Sequence, residues 1–212
     1  MAAVEKEGTM IESGMAKKRS DLLVPILERL TEMILLTRKA FNRQKAAYLN
    51  EAETIRSRVE RGIESAKADL QKVAAETAGK SQALHLQNLL AHVEMIKGKV
   101  ADLVDPVQKQ IAGGLLFSDK AISQTNFLFD HEAGIFRSLE DILVTENSIL
   151  VNYVNGKIDD MARFCIEFAT DHEARLIEGL CQPQAAPIFL GILDCIRNIS
   201  HHQKEILRLL QE

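Results

Sequence analysis

The residues able to do chemistry in this chain are six histidines, three cysteines and 30 acidic side chains. What matters is whether spacing gathers any of them. His85 and His92 lie two helical turns apart on one face, too far to share one ion without outside ligands. His201 and His202 are adjacent, so on a helix they point about 100° apart and cannot both face one ion. His131 and His172 have no carboxylate or cysteine at ligand spacing. His85, His92, His201 and His202 therefore each read as a satisfied or solvent-facing side chain, and His131 and His172 carry no assigned role. Cys165, Cys181 and Cys195 are odd in number and lack Cys-x-x-Cys spacing, which argues against a disulfide framework or a zinc site and for a reducing cytoplasm. No Gly-rich phosphate loop, Gly-x-Ser-x-Gly turn or His-Glu-x-x-His helix occurs, and Gly62 and Gly113-Gly114 lack the strand context of a nucleotide loop. The chain reads as a non-enzyme.

The elements that would position these residues are helices. With 4 Pro and 11 Gly against abundant Ala, Leu, Glu, Lys and Arg, the composition favours long helices over sheets. Aromatic residues make up 5%, so aliphatic side chains must fill the core. A net charge of −4, without a basic stripe interleaved with aromatics, excludes an obvious nucleic-acid binder. Lys17-Lys18-Arg19 reads as a solvated flank. No apolar run approaches the roughly 20 residues of a membrane helix, and Glu5, Glu7 and Glu12 oppose a signal peptide. The expectation is a cytoplasmic protein that does not span the membrane.

Residues 1–18 show no periodicity and read as a flexible arm. Ser20-Asp21 caps a first helix, with Pro25 in its first turn or so, interrupted near Tyr48 to Glu51. A second helix runs to about Ala78, with Gly79 as its left-handed end and Ser81 as the next cap. The third, from Ala83 to about Val104, is stopped by Asp105-Pro106. Ser118-Asp119 opens a fourth, a break near Thr145 to Ser148 precedes a fifth, and Gly179 to Pro183 separates the fifth from the sixth. The sixth helix carries Ile192, Leu193, Ile196, Ile199, Ile206 and Leu207 on one face, and 103 residues earlier the face recurs as Leu89, Leu90, Val93, Ile96, Leu103 and Val104. The same offset aligns Met33 with Phe136, Leu36 with Leu139, Ile55 with Ile158 and Ile63 with Ile166. One offset serving three helices predicts an all-α fold: two tandem three-helix units, residues 19–112 and 115–212, packed side by side.

Val93-Glu94-Met95-Ile96-Lys97-Gly98-Lys99 and Ile196-Arg197-Asn198-Ile199-Ser200-His201-His202 resemble degraded copies of the Leu-Glu-Arg-Ile-Gly-Asp-His signature of PhoU proteins. The run from His172 through Arg175-Leu176, Gly179 and Cys181-Gln182-Pro183 is similar to the junction before that family's last helix. The resemblance covers roughly residues 20 to 210. It implies two three-helix bundles packed in parallel, often dimeric, in a cytoplasmic regulator of phosphate uptake that contacts partner proteins: a phosphate transporter or a membrane sensor kinase. A homodimer would use the second and fifth helices or the arm.

The resemblance also says where chemistry should be. PhoU bundles pair carboxylates four residues apart on facing helices, the ligand set of a hard or borderline cation cluster. The equivalent positions here are Ala52 and Arg56 opposite Glu94 and Gly98, then Asn155 and Asp159 opposite Arg197 and His201. Two of eight carboxylates survive, Glu94 and Asp159. No metal or other cofactor is expected, and Arg56 should pair with Glu94 and Arg197 with Asp159. The best residual ligands for a single divalent transition metal are Asp159 and His201. Two functions compete with the docking adaptor: a metal- or small-ligand-binding helical bundle, and a sensory input domain with Met33, Met95 and Met161 lining a pocket.

Overall fold

The computed structural model describes the backbone of residues 2–74 and 80–211 and the side chains of residues 14, 16–72, 74 and 80–211. These residues form seven α-helices: α1 Ala2–Arg43, α2 Ala47–Ala74, α3 Lys80–Asp102, α4 Val104–Gly113, α5 Asp119–Thr145, α6 Ser148–Ile177 and α7 Ala186–Leu209, with a single 3-10 turn at Pro183–Ala185. The fold is all-α. Six long helices make two three-helix units, α1–α2–α3 and α5–α6–α7, packed side by side.

Several expected boundaries move. Backbone from Ala2 onward belongs to α1 rather than to an aperiodic arm, because Ala, Glu, Lys and Met sustain a helix once it is nucleated nearby. Pro25 therefore falls inside α1, where it has no N–H to give the carbonyl of Asp21. The first break comes at residues 44–46, with Gln44 at φ 49°, not at Tyr48. Gly79 lies outside the described residues, and Ser81 is inside α3. Pro106 does not end α3; it is the third residue of α4, where an N–H would have no intrahelical partner. Gly114, at φ 57°, ends α4, its N–H and that of Leu115 returning to the carbonyls of Ile111 and Gln110. Ser118 caps α5 by accepting from the Ala121 N–H at 3.4 Å, and Asn147 caps α6.

The two units face each other through α1 with α5 and α3 with α7. Both contacts are antiparallel: along α1, Arg19 meets Glu146 at 2.6 Å, Arg38 meets Asp130 at 2.9 Å and Asn42 meets Asn126 at 2.6 Å. Arg19 is thus an interhelical tie and not part of a solvated flank. α2 and α6 stand outside. The core is continuous across the seam, with Leu30, Ile34, Phe129, Phe136, Leu89, Ile96, Phe189 and Ile196 all fully buried.

The repeat is faithful at Met33 and Phe136, at Ile55 and Ile158, and at Ile96 and Ile199, which are all buried. It fails at Ile63 and Ile166. Ile63 is 2% exposed and Ile166 is 60% exposed. Beyond Ile158 the buried stripe of α6 runs Met161, Cys165, His172, each the counterpart of the residue before Val59, Ile63 and Leu70 on α2. A slip of one residue turns the helix face by about 100° and carries Ile166 out to solvent. Ile63→Ala should therefore cost about 2–5 kcal/mol in chemical denaturation, whereas Ile166→Ala should stay within about 0.5 kcal/mol. Equal losses at the two positions would contradict the slip.

Candidate functional site

The eight positions set by the resemblance do not converge as expected. Ala52 is buried in the core of the first unit. Arg56 pairs with Glu53 at 2.7 Å and approaches Glu60 at 3.8 Å, both on its own helix. Glu94 is bonded by Lys67 at 3.0 Å. At Gly98 an added Cβ would meet nothing within 4 Å. Asn155 lies in a shallow groove with Lys204, Glu205 and Arg208. Asp159 is bonded by Lys204, Arg197 pairs with Asp194 at 2.9 Å on its own helix, and His201 is exposed.

The predicted pairs Arg56–Glu94 and Arg197–Asp159 are therefore not formed, and the helix register is the reason. The cross-helix contacts Lys67–Glu94 and Glu60–Lys97 set α2 against α3. Arg56 is eleven residues from Lys67, about 16 Å along the axis. On α7, Arg197 is seven residues from Lys204, about 10 Å from where it would face Asp159. Arg56 and Arg197 instead find carboxylates three residues away on the same helix. Most of these pairs are solvent-exposed and add little to stability. Among the described residues no three His, Cys, Asp or Glu side chains gather to hold an ion.

The less expected chemistry is inside. Glu132 is fully buried on α5 between Phe129 and Phe136; the Gln203 amide donates to its Oε1, and Oε2 has no partner. Burial pushes its carboxyl up to about 8, partly offset by the bond from Gln203. The sequence held a signal for it: Glu132 falls on the apolar stripe of Leu128, Phe129, Ala133 and Phe136. His172 is 2% exposed, its ring 4.6 Å from that of Phe189 and both nitrogens without a protein partner; burial, then Arg175, holds it below the usual imidazole range. His92 and His202, on different units, bring their Nδ1 atoms to 3.2 Å, and burial lowers both pKa values. Sequence spacing could not find that pair, because it crosses between helices. The Cys165 and Cys195 thiols are pushed up to about 12 and about 11, mainly by burial, so they stay protonated and are poor nucleophiles at neutral pH.

Between α6 and α7 runs a groove of about 630 Å³, lined by Cys165, Ile166, His172, Leu190, Asp194 and Arg197 among others. Ile166 and Leu190 are exposed along it, and Ile177 and Leu180 are exposed close by in the chain. An open, apolar groove with charges at its edge suits a complementary apolar surface better than a reacting small molecule. No helix among the described residues is long and apolar enough to cross a membrane.

No family model matches the chain, and no curated protein matches it. Among solved structures, the chain is similar to the phosphate transport system regulatory protein PhoU from Streptococcus pneumoniae, with a TM-score of 0.78 over 92% of each chain at 8% identity. The likeness establishes a PhoU-like fold.

The buried carboxyl sets the pH dependence of stability. Glu132 titrates at about 8 when folded and near 4.5 when unfolded. Between those values the folded chain keeps a proton that the unfolded chain releases, so Glu132's own contribution is full below about pH 4.5 and falls as pH rises towards 8. It is opposite in sign to that of His92, His172 and His202, whose lowered pKa values cost stability as pH falls below about 6.5. The slope should approach about 1.4 kcal/mol per pH unit within that window. Urea melts at pH 5, 6.5 and 8 should show this decline in the difference between the wild-type protein and Glu132→Gln, with the variant gaining on the wild type as pH rises and being the more stable at pH 8. Parallel curves for the two proteins would refute it.

Proposed function

We propose that this chain is a non-enzymatic, PhoU-like regulatory adaptor of phosphate uptake or phosphate signalling. It works in the cytoplasm by docking helical faces on a phosphate transporter or a membrane sensor kinase. The observation that carries the reading is the fold likeness over 92% of both chains to a phosphate transport system regulatory protein. The degraded signatures on α3 and α7 support it. So does the surface: the groove between α6 and α7 is open and apolar rather than enclosed and catalytic, and α6 carries Ile149, Tyr153 and Ile166 exposed along its length. Regulation by contact needs such faces and needs no reacting group. The ion pairs at Asp159 and Glu94 fit a regulator that has lost the family's metal clusters, since lysines occupy the two surviving carboxylates. A homodimer through α2 or α6 is compatible with the reading, because both helices lie outside the seam.

The second reading, a bundle that binds a small ligand, rests on the groove itself and on the unpartnered His172 beside it. The proposed function is tested by mutation and deletion. Ile166→Asp with Leu190→Asp changes exposed side chains only, so the protein should keep its melting temperature. In a strain lacking the chromosomal copy, the wild-type gene should restore normal phosphate uptake and phosphate-responsive transcription, and the doubly substituted gene should fail to do so. Unaltered phosphate uptake and transcription in the deletion strain would overturn the proposed function.

A further inference from the structure

Each unit leaves a groove between its last two helices, and the two grooves differ. In the first unit it is about 200 Å³, and Lys67 on α2 reaches Glu94 on α3 across it at 3.0 Å. In the second it is the groove of about 630 Å³ between α6 and α7. With the one-residue slip of α6 allowed for, the 103-residue repeat lays one groove on the other. Ala169 stands where Lys67 stands, Leu190 where Gln87 stands and Arg197 where Glu94 stands. The crossing lysine is thus missing, and Arg197 turns back to Asp194 on its own helix at 2.9 Å. The first unit closes its groove with an ion pair. The second leaves it open and lines it with aliphatic side chains.

We propose that this groove is the docking site for a basic amphipathic helix of the partner protein, laid between α6 and α7 as a fourth helix of the second unit. The proposal rests on the adaptor reading and names the chemistry of the segment that docks. Shape comes first. From Cys165 to Leu176 the groove runs about 16 Å, three turns of an incoming helix. Ile166 on one wall and Leu190 on the other are exposed, and Leu193 is buried beneath them. A helix carrying apolar residues at i, i+3 or i+4 and i+7 covers all three over that length.

Charge selects the helix. From Asp160 to Glu178, α6 carries five carboxylates against Arg163 and Arg175, a net −3 within a chain of net −4. Arg163 is already held by Asp160 at 2.7 Å and by Glu167 at 3.1 Å. Glu173, on the groove wall, has no ion-pair partner among the described residues. Lys or Arg beside the incoming apolar stripe would meet these carboxylates, whereas an acidic helix or an anionic lipid surface would be repelled. A second copy seated face to face would set acid against acid, which leaves the α2 side to any homodimer. A transporter or sensor kinase can supply a basic segment where its cytoplasmic loops leave the membrane, because those loops carry an excess of Lys and Arg.

Photo-crosslinking of the full chain in its native cell tests the site. A p-benzoylphenylalanine replaces Leu190, Ile166 or, as the first-unit control, Gln87, and the attached peptide is sequenced. Positions 190 and 166 should capture one helical segment with a net positive charge and apolar residues at i, i+3 or i+4 and i+7, and position 87 should not. Ala169→Lys with Arg197→Glu builds the first unit's crossing pair into the second, and it should lower capture at position 190 about tenfold with the melting temperature unchanged. Should that variant melt early, Glu173→Lys, which reverses one exposed charge, should lower capture in its place. Capture of an acidic segment, a second copy of this chain, a lipid, a small molecule or nothing would overturn the site, as would equal capture at position 87. The adaptor reading fails separately, through unaltered phosphate uptake in the deletion strain. Altered uptake that the crossing-pair variant restores in full would remove this site and leave the adaptor reading standing.

Discussion

The structure depends on an apolar seam that neither repeat can do without. A unit of three helices buries one face of each helix against the other two, and the outer faces of α1 and α3 remain apolar. Closing them against α5 and α7 removes those faces from water and yields one core in place of two. The antiparallel sense of both contacts follows from a two-fold arrangement of units whose sequences repeat. Polar ties at the margin, Arg19 with Glu146 and Arg38 with Asp130, contribute orientation more than stability because water reaches them.

Within the continuous core the polar exceptions stand out. Glu132 and Gln203 bury a carboxyl and an amide together, and each keeps an oxygen without a partner. Burying such groups costs stability, and the carboxyl reduces the cost by remaining protonated. His92 and His202 face each other across the seam between units, in half-buried surroundings that lower both pKa values. Both pairs join another helix to α7, whose buried face runs from Ala186 to Leu209.

The outer helices are freer. α6 turns its face by one residue relative to α2, and that slip both exposes Ile166 and opens the groove beside α7. A duplication can therefore keep its hydrophobic period and still differentiate its halves: one outer helix stays closed against its unit, and the other offers an apolar surface.

The sequence alone determined the helical period, the 103-residue repeat, the six long helices and the turns at Gly114, Ser118, Asn147 and Gly179, because local propensity and capping act over a few residues. It also carried the PhoU resemblance. It misjudged ends set by helix propagation, as at Ala2, and by the position of a proline within a turn, as at Pro106. Tertiary structure decided which side chains meet. Glu94 takes Lys67 and not Arg56, Asp159 takes Lys204 and not Arg197, and His92 finds His202 across the seam. The reason is physical: period tells which face a residue shares, but the axial register between two helices comes from packing of whole faces. Here the lysine that takes each carboxylate lies about 16 Å along the axis from Arg56 and about 10 Å from Arg197.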